Sequence, residues 1–145
     1  MLNNESVYAK QIEEKGFVVA TPVGISMLPL LRQGIDTVKL VKPTLPLKKF
    51  DVILYKRPDG KYVLHRILKI KKNEYYLCGD NQLFIEKGVK ESWIIAIMDG
   101  FYRGDEYIDV TNKKYLKYVK KRTSTRWFRK LKYIIKRVLV KIFKR

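Results

Sequence analysis

Histidine and cysteine are almost missing from this chain of 145 residues, which holds one of each, His65 and Cys78. That excludes a zinc centre on the usual four Cys/His ligands and an intramolecular disulfide, and no metal or other cofactor is expected. A single thiol accords with a reducing compartment. Long apolar runs are also lacking. The most apolar C-terminal stretch, Tyr133 to Phe143, is interrupted by Lys136, Arg137 and Lys141, whereas a spanning helix needs about 20 mostly apolar residues. The opening Met1-Leu2-Asn3-Asn4-Glu5 has neither the basic nor the apolar region of a secretory leader.

The most informative absence is that of acid near the C-terminus. Residues 113–145 carry 15 Lys/Arg and no Asp/Glu, while residues 1–112 carry 17 Lys/Arg against all 14 Asp/Glu. The net charge of +18 is therefore a nearly neutral domain, 1–112, followed by a strongly basic tail, 113–145. Such asymmetry points to an anionic partner for the tail, either lipid or nucleic acid. With 46% apolar residues the chain can build a packed core, expected over residues 16–110.

The pattern within that core is mostly β. Glu5 to Lys15 reads as a short helix stopped by Gly16, and Phe17 to Thr21 as a strand broken by Pro22 and Gly24. Thr37–Val41, Asp51–Tyr55, Tyr62–Leu68, Glu74–Cys78, Trp93–Met98 and Glu106–Val110 read as strands. Arg57-Pro58-Asp59-Gly60 is turn chemistry, so the third and fourth strands should form a hairpin. A loop is expected from Gly79 to Gly88. One short helix and several short strands suggest a partly closed, barrel-like sheet.

Three segments could carry chemistry. Ser26 lies between Gly24 and Pro29, on constrained backbone that can expose both its hydroxyl and its N–H, as a nucleophile requires; taken alone, it reads first as a serine in a turn. By alternation His65 shares a face with Val63 and Ile67, either as a hydrogen-bonded core residue or as a general base. Asp80 and Glu86 lie six residues apart in the Gly79–Gly88 loop, and either could orient an imidazole. Asp80 could also hold an Asx turn.

Taken together and in order, Gly24-x-Ser26-Met27-x-Pro29, Gly34-x-Asp36-x-Val38, Asp51-Val52-Ile53-x-Tyr55, Val63-x-His65-Arg66-Ile67 and Gly79-Asp80-Asn81 resemble the signal-peptidase/LexA-like serine peptidase superfamily. The resemblance covers roughly residues 16–102. The histidine at position 65, where other branches place a lysine, is similar to the archaeal and endoplasmic-reticulum type signal peptidases. The resemblance implies a serine endopeptidase acting on leader, signal or precursor peptides. Ser26 would be the nucleophile and its own N–H an oxyanion donor, with His65 as base and Glu86 or Asp80 as its orienter. Glu86 stands where that branch has an aspartate. The superfamily binds its peptide as an added strand, which would place the groove at backbone edges near residues 17–23 and 76–79. Neither the membrane anchor nor the DNA-binding module that such proteins carry before the serine is seen here. The reading from another class is a non-catalytic peptide- or DNA-associated module on the same fold.

In the tail, Trp127, Phe128, Leu131, Ile134, Ile135, Val138, Leu139, Ile142 and Phe143 recur at intervals of one, three and four, one face of a helix over 124–144. Lys and Arg fill most other positions, among them Arg129, Lys130, Lys136 and Arg137. An apolar face opposite a cationic one is the pattern of an interfacial membrane helix. The membrane-binding residues would be Trp127, Phe128, Arg129, Lys130, Lys136 and Arg137, with the protein peripheral on the cytoplasmic side. Packing of the apolar face on the β domain is the plainer alternative. Phosphate contacts of a nucleic acid have no use for Ile134, Val138 or Phe143.

Overall fold

The computed structural model describes residues 5–144, with side chains from Val7 onward. The residues before Glu5, where no leader is read, and Arg145 at the end of the tail lie outside the described residues.

Helix α1 (Glu5–Lys15) ends where Gly16, at φ +81°, returns its N–H to the Ile12 carbonyl at 2.8 Å, a left-handed stop that suits glycine. Strands β1 (Phe17–Ala20), β2 (Thr37–Val41), β3 (Val52–Lys56), β4 (Tyr62–Lys71), β5 (Glu74–Cys78), β6 (Glu86–Lys90), β7 (Ile94–Arg103) and β8 (Glu106–Asp109) follow. All their pairings are antiparallel, in the order β1-β2-β7-β3-β4-β5-β6, with β8 against the far end of β7. The β3–β4 hairpin forms as its turn residues imply, pairing Ile53 with His65 and Tyr55 with Val63.

β3 is buried along nearly its whole length because the sheet is covered on both faces. Val52 and Leu54 join one cluster with Leu40, Leu64, Ala96 and Met98, while Ile53 and Tyr55 join a second with Ile67, Leu77 and Val89. The terminal strands β1 and β6 do not pair, so the sheet is not closed, in contrast to the partial closure expected from the sequence. The first cluster is covered by helices instead, through Ile12 of α1 and Tyr115 and Val119 of the following helix. The expected loop to Gly88 ends earlier, because residues 86–90 pair with β5 as β6.

The basic tail is two helices, α2 (Lys113–Ser124) and α3 (Arg126–Phe143). Asn112 caps α2 by accepting from the N–H groups of Lys114 and Tyr115, a cap typically worth about 1 kcal/mol. The Thr123, Ser124 and Thr125 hydroxyls all donate back to carbonyls of the last turns of α2, the side-chain competition that unsettles helix interiors, and the two helices meet at Thr125. Because α2 buries Tyr115 and Val119, the core continues past residue 112, whereas α3 contributes no buried residue to it.

Arg66 of β4 binds these parts together. Its guanidinium, 0% exposed, grips Asp80 through Nε and Nη2 at 2.8 Å each and donates Nη1 to the Phe50 carbonyl and the Tyr115 hydroxyl. Removing one partner of such a pair strands the other charge out of water. Asp80→Asn is therefore expected to destabilise the fold by about 3–5 kcal/mol in urea unfolding. Glu86→Gln, which breaks a partly exposed pair with Arg57, is expected to cost about 1 kcal/mol or less.

Candidate active site

Gly24 takes φ +89°, a conformation that a side chain disfavours, and reverses the chain after β1. The turn carrying Ser26 follows, closed by the Leu28 N–H on the Ile25 carbonyl. The turn is held from outside by Asn81, whose main-chain N–H donates to the Ser26 carbonyl at 2.8 Å and whose side-chain amide donates to the Ile25 carbonyl at 3.1 Å. Gly79 lets the two loops meet. A Cβ there would lie 2.5 Å from the Ser26 carbonyl oxygen and 3.1 Å from the Ser26 Cβ. The Gly-Asp-Asn sequence is thus a seat for the serine turn.

Ser26 and His65 line one cavity of about 470 Å³, together with Pro22, Met27, Leu31, Arg57, Lys61, Val63 and Gln82. Ser26 is half-buried and His65 only 3% exposed. Burial, reinforced by the nearby Arg57 charge and only partly offset by Glu86 and Asp80, pushes the imidazole down to about 4. His65 is therefore neutral at pH 7.

Behind the ring, its Nδ1 lies 3.4 Å from the Tyr55 hydroxyl. That hydroxyl in turn donates to Glu86 Oε2 at 2.5 Å, and Arg57 grips the same carboxylate through Nε at 2.8 Å and Nη2 at 2.6 Å. Tyr55 has one proton and donates it in the hydrogen bond to Glu86, so the phenol oxygen faces His65 as an acceptor. The matching imidazole tautomer carries its proton on Nδ1 and leaves Nε2 with a free lone pair. Burial would raise the Glu86 carboxyl, but the hydrogen bonds from Arg57 and Tyr55 outweigh it and hold the group below its ordinary value. Burial and the Glu86 carboxylate both raise the Tyr55 phenol, which keeps its proton.

The two carboxylates thus part company. Glu86 reaches His65 only through Tyr55. Asp80 is taken up by Arg66, and its Oδ2 also accepts from the Tyr118 hydroxyl at 2.8 Å, so its place is beneath the loop and not behind the imidazole. Of the expected groove, β1 is an end strand hydrogen-bonded only to β2, whereas β5 lies between β4 and β6. The Gly79 N–H is occupied by the Gln82 side chain. In α3, Trp127, Phe128, Lys136 and Arg137 are exposed, but Arg129 donates to the Asp80 carbonyl and Lys130 lies over the Phe84 ring. Among the described residues no group of three His, Cys, Asp or Glu could hold a metal ion, and no helix is long and apolar enough to cross a membrane.

Tyr55, Arg57, Gly79 and Asn81 complete the arrangement without having been assigned roles from the sequence. Tyr55 could have been found, since the hairpin register places it diagonal to His65 on the same face of the sheet. Comparison of the chain with family models, curated proteins and solved structures gave no match.

The depressed His65 has a consequence for stability. Below pH 6.5 the unfolded chain binds a proton there that the folded chain refuses until about pH 4. The contribution is complete above pH 6.5 and is lost as pH falls through that window. Relative to His65→Gln, the wild type should lose about 3 kcal/mol of unfolding free energy between pH 6.5 and 4. Urea unfolding across that range, with the imidazole followed by NMR, checks this.

Proposed function

We propose that the protein is a serine endopeptidase of the signal-peptidase-like kind, cleaving leader, signal or precursor peptides by a Ser-His mechanism. The observation that carries this reading is that Ser26 and His65 both line one cavity, with the imidazole neutral and its Nδ1 turned to Tyr55.

In the proposed reaction the Ser26 Oγ attacks the peptide carbonyl carbon while its proton passes to His65 Nε2. The carbonyl oxygen becomes an oxyanion, for which the Ser26 N–H is one donor. Collapse breaks the C–N bond, and the His65 proton goes to the departing amine. Water then attacks the acyl-serine, giving its proton to His65, and the free acid leaves as Ser26 takes the proton back. Tyr55 and Glu86 share the role of orienter: Tyr55 accepts from Nδ1–H, and the anionic Glu86 behind it stabilises the transient imidazolium. The peptide would add as a strand along the outer edge of β1, beside the exposed Val23 and Ile25.

In a peptide library read by mass spectrometry, cleavage should disappear in both Ser26→Ala and His65→Ala with folding retained. Tyr55→Phe and Glu86→Gln should each lower kcat by about 10- to 100-fold, the scale of assisted proton transfer, with little change in KM. Their double variant should be no worse than the poorer single one, because both act through one imidazole. The acid limb of kcat/KM should fall near pH 4 in the wild type. Cleavage that survives Ser26→Ala sinks the mechanism, and a peptide or DNA complex that forms without any cleavage would favour a binding module.

A further inference from the structure

Helix α3 divides its surface in a way that the sequence pattern alone leaves open. Its first two turns meet the domain on one side. Arg126 donates to the Leu83 carbonyl at 2.9 Å and Arg129 to the Asp80 carbonyl at 3.2 Å, while Lys130 and Tyr133 contact the Phe84 ring. These positions, spaced by three, one and three, are one face of the helix, and it belongs to the basic side. Trp127, Leu131, Ile134, Ile135, Val138 and Ile142 therefore point away from the domain, and all are exposed, from 39% for Leu131 to 61% for Trp127. Packing of the apolar face on the β domain, the plainer alternative, is not what the helix does.

An unpartnered apolar face of this length needs an occupant, and charge identifies its chemistry. Lys132, Lys136, Arg137, Lys141 and Lys144 flank it with no acidic residue anywhere on α2 or α3. A cationic rim around an apolar stripe complements a surface that is anionic outside and apolar within. A second copy of α3 would bring like charges together along the same rim, and a nucleic acid would leave the stripe in water. We infer that α3 docks flat on an anionic lipid surface, with the stripe from Trp127 to Ile142 in the acyl boundary and Lys132, Lys136, Arg137 and Lys141 at the headgroups. This does not rest on the peptidase reading, and its test needs no activity.

The full chain carrying Ser26→Ala is sedimented with vesicles of phosphatidylcholine alone and of phosphatidylcholine mixed with phosphatidylglycerol. Binding is expected only to the mixed vesicles. Ile135→Glu/Leu139→Glu and Lys136→Glu/Arg137→Glu should each lower the partition coefficient by about tenfold or more. None of the four is bonded to the loop over residues 80–84, so the fold should be retained, as far-UV circular dichroism will report. Raised salt should weaken the wild type more than the charge-reversed variant, whose residual binding rests more on the apolar stripe. Three outcomes overturn the inference. The wild type could fail to bind the mixed vesicles, or the apolar-face variant could bind as well as wild type, which would leave bare charge attraction of the kind that also gathers nucleic acid. The protein could also dimerise in sedimentation velocity through the same apolar residues without partitioning into lipid.

Discussion

Arg66 is an arginine removed from water in the middle of a β strand, and such a burial is tolerated only when the guanidinium is met by charge and hydrogen bonds on every side. Asp80 supplies the charge, and the Phe50 carbonyl and Tyr115 hydroxyl supply further acceptors. Each partner belongs to a different part of the chain: the approach to β3, the loop after β5, and α2. The pair therefore fixes where the loop over residues 79–82 begins relative to β4. Asn81, next in the chain, then fixes the turn of Ser26. His65 is the neighbour of Arg66 on β4, so alternation sends it to the opposite face of the strand. One buried ion pair thus sets the floor from which the serine turn is held, and the same strand delivers the histidine.

The opposite face is arranged on another principle. His65 is kept neutral by burial and by the Arg57 charge, and Arg57 is in turn neutralised by Glu86. Were Glu86 in direct contact with the ring, its charge would favour the imidazolium and raise the group. Interposing the Tyr55 phenol keeps the carboxylate one hydrogen bond away, so the imidazole feels its orientation more than its field. For the proposed reaction this yields a base unprotonated over a wide pH range, with less driving force for accepting a proton than an unperturbed histidine has. Ser26 Oγ–H must then be helped by stabilisation of the oxyanion, which is consistent with a serine turn anchored by two bonds from a single asparagine.

Much of this was legible before any coordinates. The turn chemistry of residues 57–60 gives the hairpin, alternation puts His65 among Val63 and Ile67, and the break at Gly24 sets Ser26 on a turn. What resisted was whatever depends on partners distant in the chain. Asp80 and Glu86 look alike in sequence, and only the pairing of β5 with β6 lifts Glu86 out of the loop and over Tyr55. Nothing local to Arg66 announces its burial, which depends on the Asp80 loop, 14 residues on, closing over it. α2 hid among lysines because Tyr115 and Val119 alone carry its buried face, too few apolar positions to stand out from the cationic pattern around them. Barrel closure failed as an expectation because helices, whose docking the strand pattern does not encode, cover the first core cluster.

The way α3 is fastened bears on what it can still do. Arg126 and Arg129 of α3, joined by Arg122 of α2, bind main-chain carbonyls of Asp80 and Leu83, not carboxylates. A carbonyl orients a guanidinium without cancelling its charge, whereas a carboxylate would do both. The Asp80 carboxylate itself is already committed to Arg66. The domain therefore holds α3 while leaving its positive potential almost uncompensated, so an anionic surface of the kind inferred above would meet the helix with its charge intact. The same arginines grip the backbone of the loop whose Asn81 seats Ser26. An α3 laid on a surface would accordingly constrain how the domain is turned, because its first two turns are bonded to the loop over residues 80–84. A flexible linker would have given the opposite result, a tethered domain free to turn, and no stretch between Asn112 and Phe143 has the composition for one.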